Sequence, residues 1–429
     1  MTSLTDPDAP PASAMPSVRT LAAVVIGNAL EFYDFLAYSF FAVQIGRTFF
    51  PAHDETTSVL AALAVFGAGF IPRPIGAWFF GRIGDRRGRK PAMLASFTLM
   101  GLSLAGVALT PGYQQIGVAA PVLVCLFRLL QGFALGGEVG PNTAFLLEAA
   151  PPGRGGLMVS LQLWSQAVAN LLGGLAGLAI GAVVGAQALN GWGWRLAFIA
   201  GLVILPIGLV LRQGLTETLP PQSATVDTVD TPRAVPPGFW RRAWLGVAML
   251  ASATIVTYGL INLTTYAQNT LHLSKAVAYE ATSALGLIGL IASPLGGWLA
   301  DRLGRKPVMI AATLPLALAA PPLFWLMVRR HDALALVGGA VILRALGALS
   351  AAPVIVAITE ALPPQRRASA LGLIYALAIT VFGGSTQFVI TALIKTTGNP
   401  VMPGWYMAGA TTVGLAAMLA FPETRPTKT

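Results

Sequence analysis

Long apolar runs dominate this chain: stretches of roughly 18 to 25 mainly apolar residues recur about a dozen times, each able to cross a hydrocarbon layer of ~30 Å as a helix. In lipid every backbone polar group must be satisfied within its own segment or its own sheet, so a chain built this way folds as helices or as a closed barrel. The alternating pattern of barrel strands is missing. The runs predict helices over 20–44, 57–80, 91–111, 117–148, 157–183, 194–212, 239–268, 275–299, 307–327, 333–361, 369–395 and 404–420. With 55% hydrophobic residues, 10% charged residues and a mean hydropathy of +0.70, the 429-residue chain reads as an all-α membrane protein embedded in a lipid bilayer.

The charges orient it. Of 27 Lys and Arg, eighteen fall in the tails and alternate loops on one side, six lie on the other side, and three (Arg73, Arg128, Arg344) lie within helices. By the positive-inside rule both termini and the central loop are cytoplasmic, and the net charge of +10 reflects topology rather than nucleic-acid binding. Residues 1–18 are polar and Pro-rich, without the basic start and apolar core of a signal peptide, and read as a cytoplasmic tail. The long connection at 213–238 divides the helices six and six, giving bundles over 19–212 and 239–420 and a short tail over 421–429. Two motifs recur in the same order in both halves. GAWFFGRIGDRRGRKP (76–91) is echoed by GGWLADRLGRKP (296–307), and EAAPPGR (148–154) by EALPPQR (360–366). A tandem duplication of membrane helices is the architecture of secondary transporters, with a central site between two bundles.

The loop GRIGDRRGRK, repeated in shorter form as ADRLGRK, resembles the signature of the major facilitator superfamily, and RLLQGFALGGE (128–138) looks like its helix-four motif. Together with GNALEFYDF (27–35) and FIPRPIGA (70–77), these stretches resemble the metabolite:proton symporters. FFPAHDE (49–55), PGYQQIGVAAPVL (111–123) and FGGSTQFVITALIKTTGNP (382–400) lean toward the citrate and tricarballylate branch. The resemblance spans the chain and implies a major facilitator fold of twelve transmembrane helices in the bacterial cytoplasmic membrane. It implies proton-coupled uptake of a small polycarboxylate such as citrate, with no cofactor beyond the proton gradient. Other dicarboxylates, aromatic acids and betaines are alternative substrates, and a transporter-like sensor is the rival class. The expected partners are an anionic small molecule, protons and lipid, with no nucleic acid, and a functional monomer.

Residues kept in both halves are expected at gates or in the scaffold: Asp85 with Asp301, Arg89 with Arg305, Glu148 with Glu360, and Arg154 with Arg366. They sit at cytoplasmic helix ends, where opposite charges pair when that side closes; the alternative is that these basic loops only fix topology. Charged groups found in one half only are better candidates for substrate or proton work, because burying them in a bilayer is expensive. Arg73 is the clearest, its repeat counterpart being Ser293. Asn28, Glu31, Asp34 and Tyr38 fall within roughly 120° of one another around the first helix, a polar face suited to a central cavity. Glu31, Asp34 and Glu138 are the candidate proton carriers, since mutual repulsion and desolvation favour protonation. A polar cluster that merely ties helices together is the bland reading. On helix four Arg128, Gln131, Glu138 and Asn142 share a stripe beside Gly132, Gly136 and Gly140, glycines that permit close packing.

Further substrate-contact candidates are Gln162, Gln166 and Asn170 on helix five, Tyr258, Asn262, Thr265 and Tyr266 on helix seven, and Arg344, Tyr375, Ser385 and Gln387 in the second half. A guanidinium holds a carboxylate bidentately, so three intramembrane arginines suit a polyanion. Cys125 reads as a packing residue and Gly286 and Gly289 as helix contacts. Enzyme readings find no support: His53, His272 and His331 fall near outer loops outside any metal spacing, and no phosphate-binding loop occurs.

Overall fold

The computed structural model describes residues 18–51, 55–213, 237–263, 266–267 and 270–425. Most of the expected tails and of the 213–238 connection, together with His53 and Thr265, lie outside the described residues. The described residues are predominantly helical, with seventeen α-helices among them: α1 (Val18–Phe40), α2 (Ala42–Phe49), α3 (Glu55–Ala68), α4 (Arg73–Arg86), α5 (Arg89–Leu109), α6 (Tyr113–Ile116), α7 (Ala119–Gly136), α8 (Val139–Glu148), α9 (Gly155–Ala188), α10 (Arg195–Gln213), α11 (Phe239–Ile261), α12 (Lys275–Leu303), α13 (Arg305–Arg330), α14 (Ala333–Glu360), α15 (Arg367–Ala378), α16 (Gly384–Thr397) and α17 (Met402–Ala420). Taking α3 with α4, α7 with α8, and α15 with α16 as single interrupted passes, and setting aside the short α2 and α6, gives twelve spans in two six-helix bundles. Among the described residues seven helical segments are long and apolar enough to cross a membrane on length and composition alone. Outward-facing Trp78, Leu102, Val183, Leu318 and Phe388 give the surface an apolar belt that only lipid would solvate.

Three interruptions depart from the unbroken helices expected. The second span breaks at residues 69–72, where Pro72 lacks the N–H to continue α3, so Arg73 opens α4 instead of lying mid-helix. The fourth span breaks at Gly137 and Glu138, because Pro141 cannot donate to the Gly137 carbonyl; the expected polar stripe is therefore split between α7 and α8. The eleventh passes through a π-turn at Ile379–Gly383.

Where α7 crosses the second span, the backbones touch. A Cβ on Gly132 would strike the Gly69 carbonyl, and one on Gly136 the Arg73 carbonyl, so the expected glycine packing brings Arg73 beside the Arg128 face. Between the bundles, α4 packs on α15 and α9 packs on α12. Those are spans two with eleven and five with eight, the exchange that a two-fold repeat produces. One hydrophobic cluster fills the first bundle and takes in Ile379 of the second, another lies within the second bundle, and a third, including Val24, Met93, Phe145, Val354, Leu371 and Phe421, runs across both at the end carrying the basic loops.

Candidate functional site: a central arginine pair and a closed basic end

Arg73 and Arg128, both buried, share one aromatic clasp. The Arg73 guanidinium carbon lies 4.3 Å from the Phe35 ring centre and 4.0 Å from that of Phe70; Arg128 lies 4.8 Å from Phe35, 4.3 Å from Tyr38 and 5.1 Å from Phe66. Arg128 Nη1 donates to Gln131 Oε1. From the other bundle, Tyr258 hydrogen-bonds Arg73 and stacks edgewise on Phe70, and Tyr375 stands within electrostatic reach while hydrogen-bonding Gln166. Thr380 Oγ1, in the π-turn, donates to the Phe70 carbonyl at 2.9 Å. Neither arginine forms an ion pair among the described residues. Arg73 Nε and Nη2, Arg128 Nε and Nη2, Gln131 Nε2 and the Tyr38 hydroxyl are buried with no hydrogen-bond partner among the described residues. Buried donors normally find acceptors, and a carboxylate offers only acceptors.

Asn28, Asn142 and Gln162, three of the remaining first-bundle candidates, form a separate hydrogen-bonded knot. Asn28 Nδ2 donates to Ser165 Oγ and, at 3.2 Å, to the Gln162 carbonyl. Gln162 Nε2 donates to Asn28 Oδ1 at 2.9 Å, and Asn142 Nδ2 to Gln162 Oε1. These bonds tie α1, α8 and α9 together. Glu31 and Glu138 are buried, with Ser96 Oγ donating to Glu138 Oε2 at 3.2 Å. Asp34 belongs to α1, and its side chain lies outside the described residues.

In the second bundle the expected candidates disperse. Tyr266 donates to the Pro400 carbonyl at 2.7 Å and packs on Phe324, within the bundle's own core. Ser385 donates at 2.6 Å to the Val381 carbonyl one turn back, and Gln387 sits half-buried on the same helix. Asn262 is buried at the C-terminus of α11. Arg344 lines a cavity between α9, α11, α12 and α14.

At the basic end the duplicated charges meet, each set reaching into the opposite bundle. Asp85 pairs with Arg89 at 2.6 Å and accepts the N–H groups of Ala368 (3.1 Å) and Ser369 (3.0 Å), at the start of α15. Asp301 pairs with Arg305 at 3.1 Å and accepts those of Gly156 (2.7 Å) and Leu157 (2.8 Å), at the start of α9. A carboxylate at a helix N-terminus is favoured by free N–H groups and by the helix dipole. Arg89 also holds Glu148 at 2.9 Å and donates to the Pro364 carbonyl at 3.0 Å, while Arg305 holds Glu360 at 2.8 Å. Gly88 and Gly304, with φ of 108° and 107°, make the turns that start α5 and α13, a conformation L-residues avoid. Arg154 and Arg366 are exposed. Arg367, which the motif reading passed over for its neighbour Arg366, pairs with Glu148 at 3.2 Å across the bundles.

The second bundle carries an addition. Glu423 accepts N–H bonds from Arg305, Lys306, Thr424 and Arg425 at 2.9–3.0 Å, and Thr424 Oγ1 donates to Glu360 at 2.7 Å. Burial opposes the Glu423 charge, but the four N–H bonds outweigh it and hold this carboxyl below its ordinary value.

Comparison with known proteins agrees with this architecture. The chain is 36% identical to a citrate-proton symporter of Salmonella typhi, over 92% of this chain and 91% of the relative. It is 33% identical to an alpha-ketoglutarate permease of Escherichia coli (strain K12), over 92% and 90%. A proton:xylose symporter solved with 6-bromo-6-deoxy-D-glucose shares the fold at a TM-score of 0.80 and 18% identity, over 95% of this chain and 96% of that one. The profile described as Major Facilitator Superfamily matches residues 24–292 and again 244–429, and the chain, a transporter and not an enzyme, belongs to that superfamily.

Proposed function

We propose that the protein is a proton-coupled symporter that takes up a small organic polycarboxylate, citrate or a close relative of it, across the bacterial cytoplasmic membrane with the basic end facing the cytoplasm. The observation that carries this reading is the pair of buried, aromatic-clasped arginines whose donors lack acceptors among the described residues. A substrate carboxylate supplies the missing acceptors and the counter-charge together, each charge-assisted bond contributing roughly 1.5–3 kcal/mol. The relatives named for citrate and 2-oxoglutarate transport support the same substrate class. Tyr258 and Tyr375 bring the second bundle to Arg73, so binding there bears on how the bundles meet. Asp85, Arg89, Glu148, Asp301, Arg305 and Glu360 act as the cytoplasmic gate, closed in this state. Glu31, Asp34 and Glu138 are the residues proposed to carry the proton. The test is uptake of labelled citrate into proteoliposomes with and without an imposed proton gradient. Gradient-driven accumulation is expected, with Glu138→Gln or Asp34→Asn retaining exchange but losing accumulation. Citrate that neither binds nor accumulates overturns the reading.

A further inference from the structure

Arg344 lies midway along α14, in the bundle opposite Arg73 and Arg128. Its guanidinium passes over Gly289 of α12. A Cβ added there would stand 3.1 Å from Nη2, 3.3 Å from Nε and 3.1 Å from the Cβ of Ala167 on α9. This glycine therefore does more than pack helices: it leaves the channel through which the guanidinium reaches the seam between the bundles. Arg344 opens there on a cavity of about 40 Å³ that Asn170, Thr257, Thr282 and Gly286 also line. One water needs roughly 10–15 Å³ on this measure, so the space suits about three heavy atoms, the size of one carboxylate and too little for a whole citrate. Among the described residues Arg344 has no ion pair and no hydrogen bond.

Two elements connect this cavity to the central cluster. Thr257 lines the cavity while its neighbour Tyr258 bonds Arg73. Asn170 lines it one helical turn, ~6 Å, beyond Gln166, the partner of Tyr375. The cavity is thus the next compartment along the seam, and its cation belongs to the other bundle.

We infer that the Arg344 cavity is a second carboxylate subsite, which receives the distal carboxylate of a substrate whose first carboxylate sits on Arg73 and Arg128. The inference rests on the anionic-substrate reading above. A di- or tricarboxylate then bridges the bundles through two cationic anchors. A monocarboxylate engages only the first, and a zwitterion would bring its cationic group toward Arg344, where like charges repel.

The test uses the full chain in lipid nanodiscs, with citrate and butyrate as competing probes, and reads the ratio of their dissociation constants on each sample. That ratio does not depend on the fraction of protein that is folded. Arg344→Met is expected to weaken citrate at least tenfold and leave butyrate unchanged. Gly289→Ala, which crowds the guanidinium without removing it, should give the same selective loss in smaller measure. If both variants keep the parent ratio while Arg73→Met weakens both anions together, the second subsite is wrong and the first stands. If Arg73→Met leaves both anions unaffected, the anionic-substrate reading falls, and this inference with it.

Discussion

Among the described residues four arginines are buried, and the two at the basic end differ from the two at the centre in what surrounds their charge. Arg89 meets Asp85, Glu148 and the carbonyls of Gly84 and Pro364; Arg305 meets Asp301, Glu360 and the Ala300 carbonyl. Arg73 and Arg128 meet chiefly ring faces. Desolvating an ion costs several kcal/mol, and a buried cation–π contact returns about 2. The arginines at the basic end are thus compensated by the protein itself, whereas among the described residues the central pair has no carboxylate partner, and under the proposed function an anion relieves that cost. Under the proposed function, compensation marks what holds a state closed, and its lack marks where a ligand acts.

The largest effect should come from breaking a compensated site. Arg89→Met leaves Asp85 with only the N–H groups of Ala368 and Ser369 and Glu148 with Arg367, and the loss of one partner from a buried network costs about 3–5 kcal/mol. Thermal unfolding in detergent should begin many degrees lower, and an unchanged midpoint would erase the distinction between the two kinds of arginine.

Arg73→Met should do the reverse in the absence of substrate, leaving the unfolding midpoint equal or higher, because it removes a charge without stranding an opposite one among the described residues. Citrate binding by calorimetry should weaken roughly 10- to 150-fold, the equivalent of ~1.5–3 kcal/mol. Arg73→Lys should not restore it, since the ammonium lacks the planar fork.

The two duplicated carboxylates can then be set against each other. Asp85→Asn and Asp301→Asn each remove charge from a helix start in the opposite bundle, at similar geometry, which bears on up to ~2 kcal/mol. Spin-label distances across the basic end should shift toward the open state by comparable populations in both variants. A shift in only one would show that the duplicated carboxylates no longer share a task.

The smallest effect concerns Glu423. Its carboxyl is held below the ordinary value of 4.5, so the stability it adds is fully present above pH 4.5 and is lost as pH falls further, through the lowered folded value. Acid titration of unfolding should show this loss in the parent and lack it in Glu423→Gln; identical acid limbs would remove Glu423 from the account.

Span positions were legible because lipid demands long apolar runs, and the interruptions were not, because hydropathy averages over Pro72 and Pro141 without registering a missing N–H. The duplicated charges were legible as a set. Their acceptor role at helix starts was hidden, since Ala368, Ser369, Gly156 and Leu157 take part through backbone N–H groups that no residue type announces. Arg73 and Arg128 stood out by the cost of placing a cation in a membrane span. Phe35 and Phe70 did not, since phenylalanine is expected anywhere in such a chain. Tyr266 and Ser385 look in sequence like site residues, yet each spends its hydroxyl on a nearby carbonyl of its own bundle.

The segment after α17 changes how this protein should be handled at the bench. Phe421 is buried in the shared core, Glu423 completes the first turn of α13, and Lys306 Nζ donates to the carbonyls of Leu419 and Phe421 at 2.6 and 3.1 Å. Residues 421–425 are part of the folded bundle rather than a spare handle. A fluorescent reporter or affinity tag therefore needs a spacer that starts beyond Arg425, and serial deletions from the C-terminus should meet an abrupt fall in expression yield once they pass Glu423.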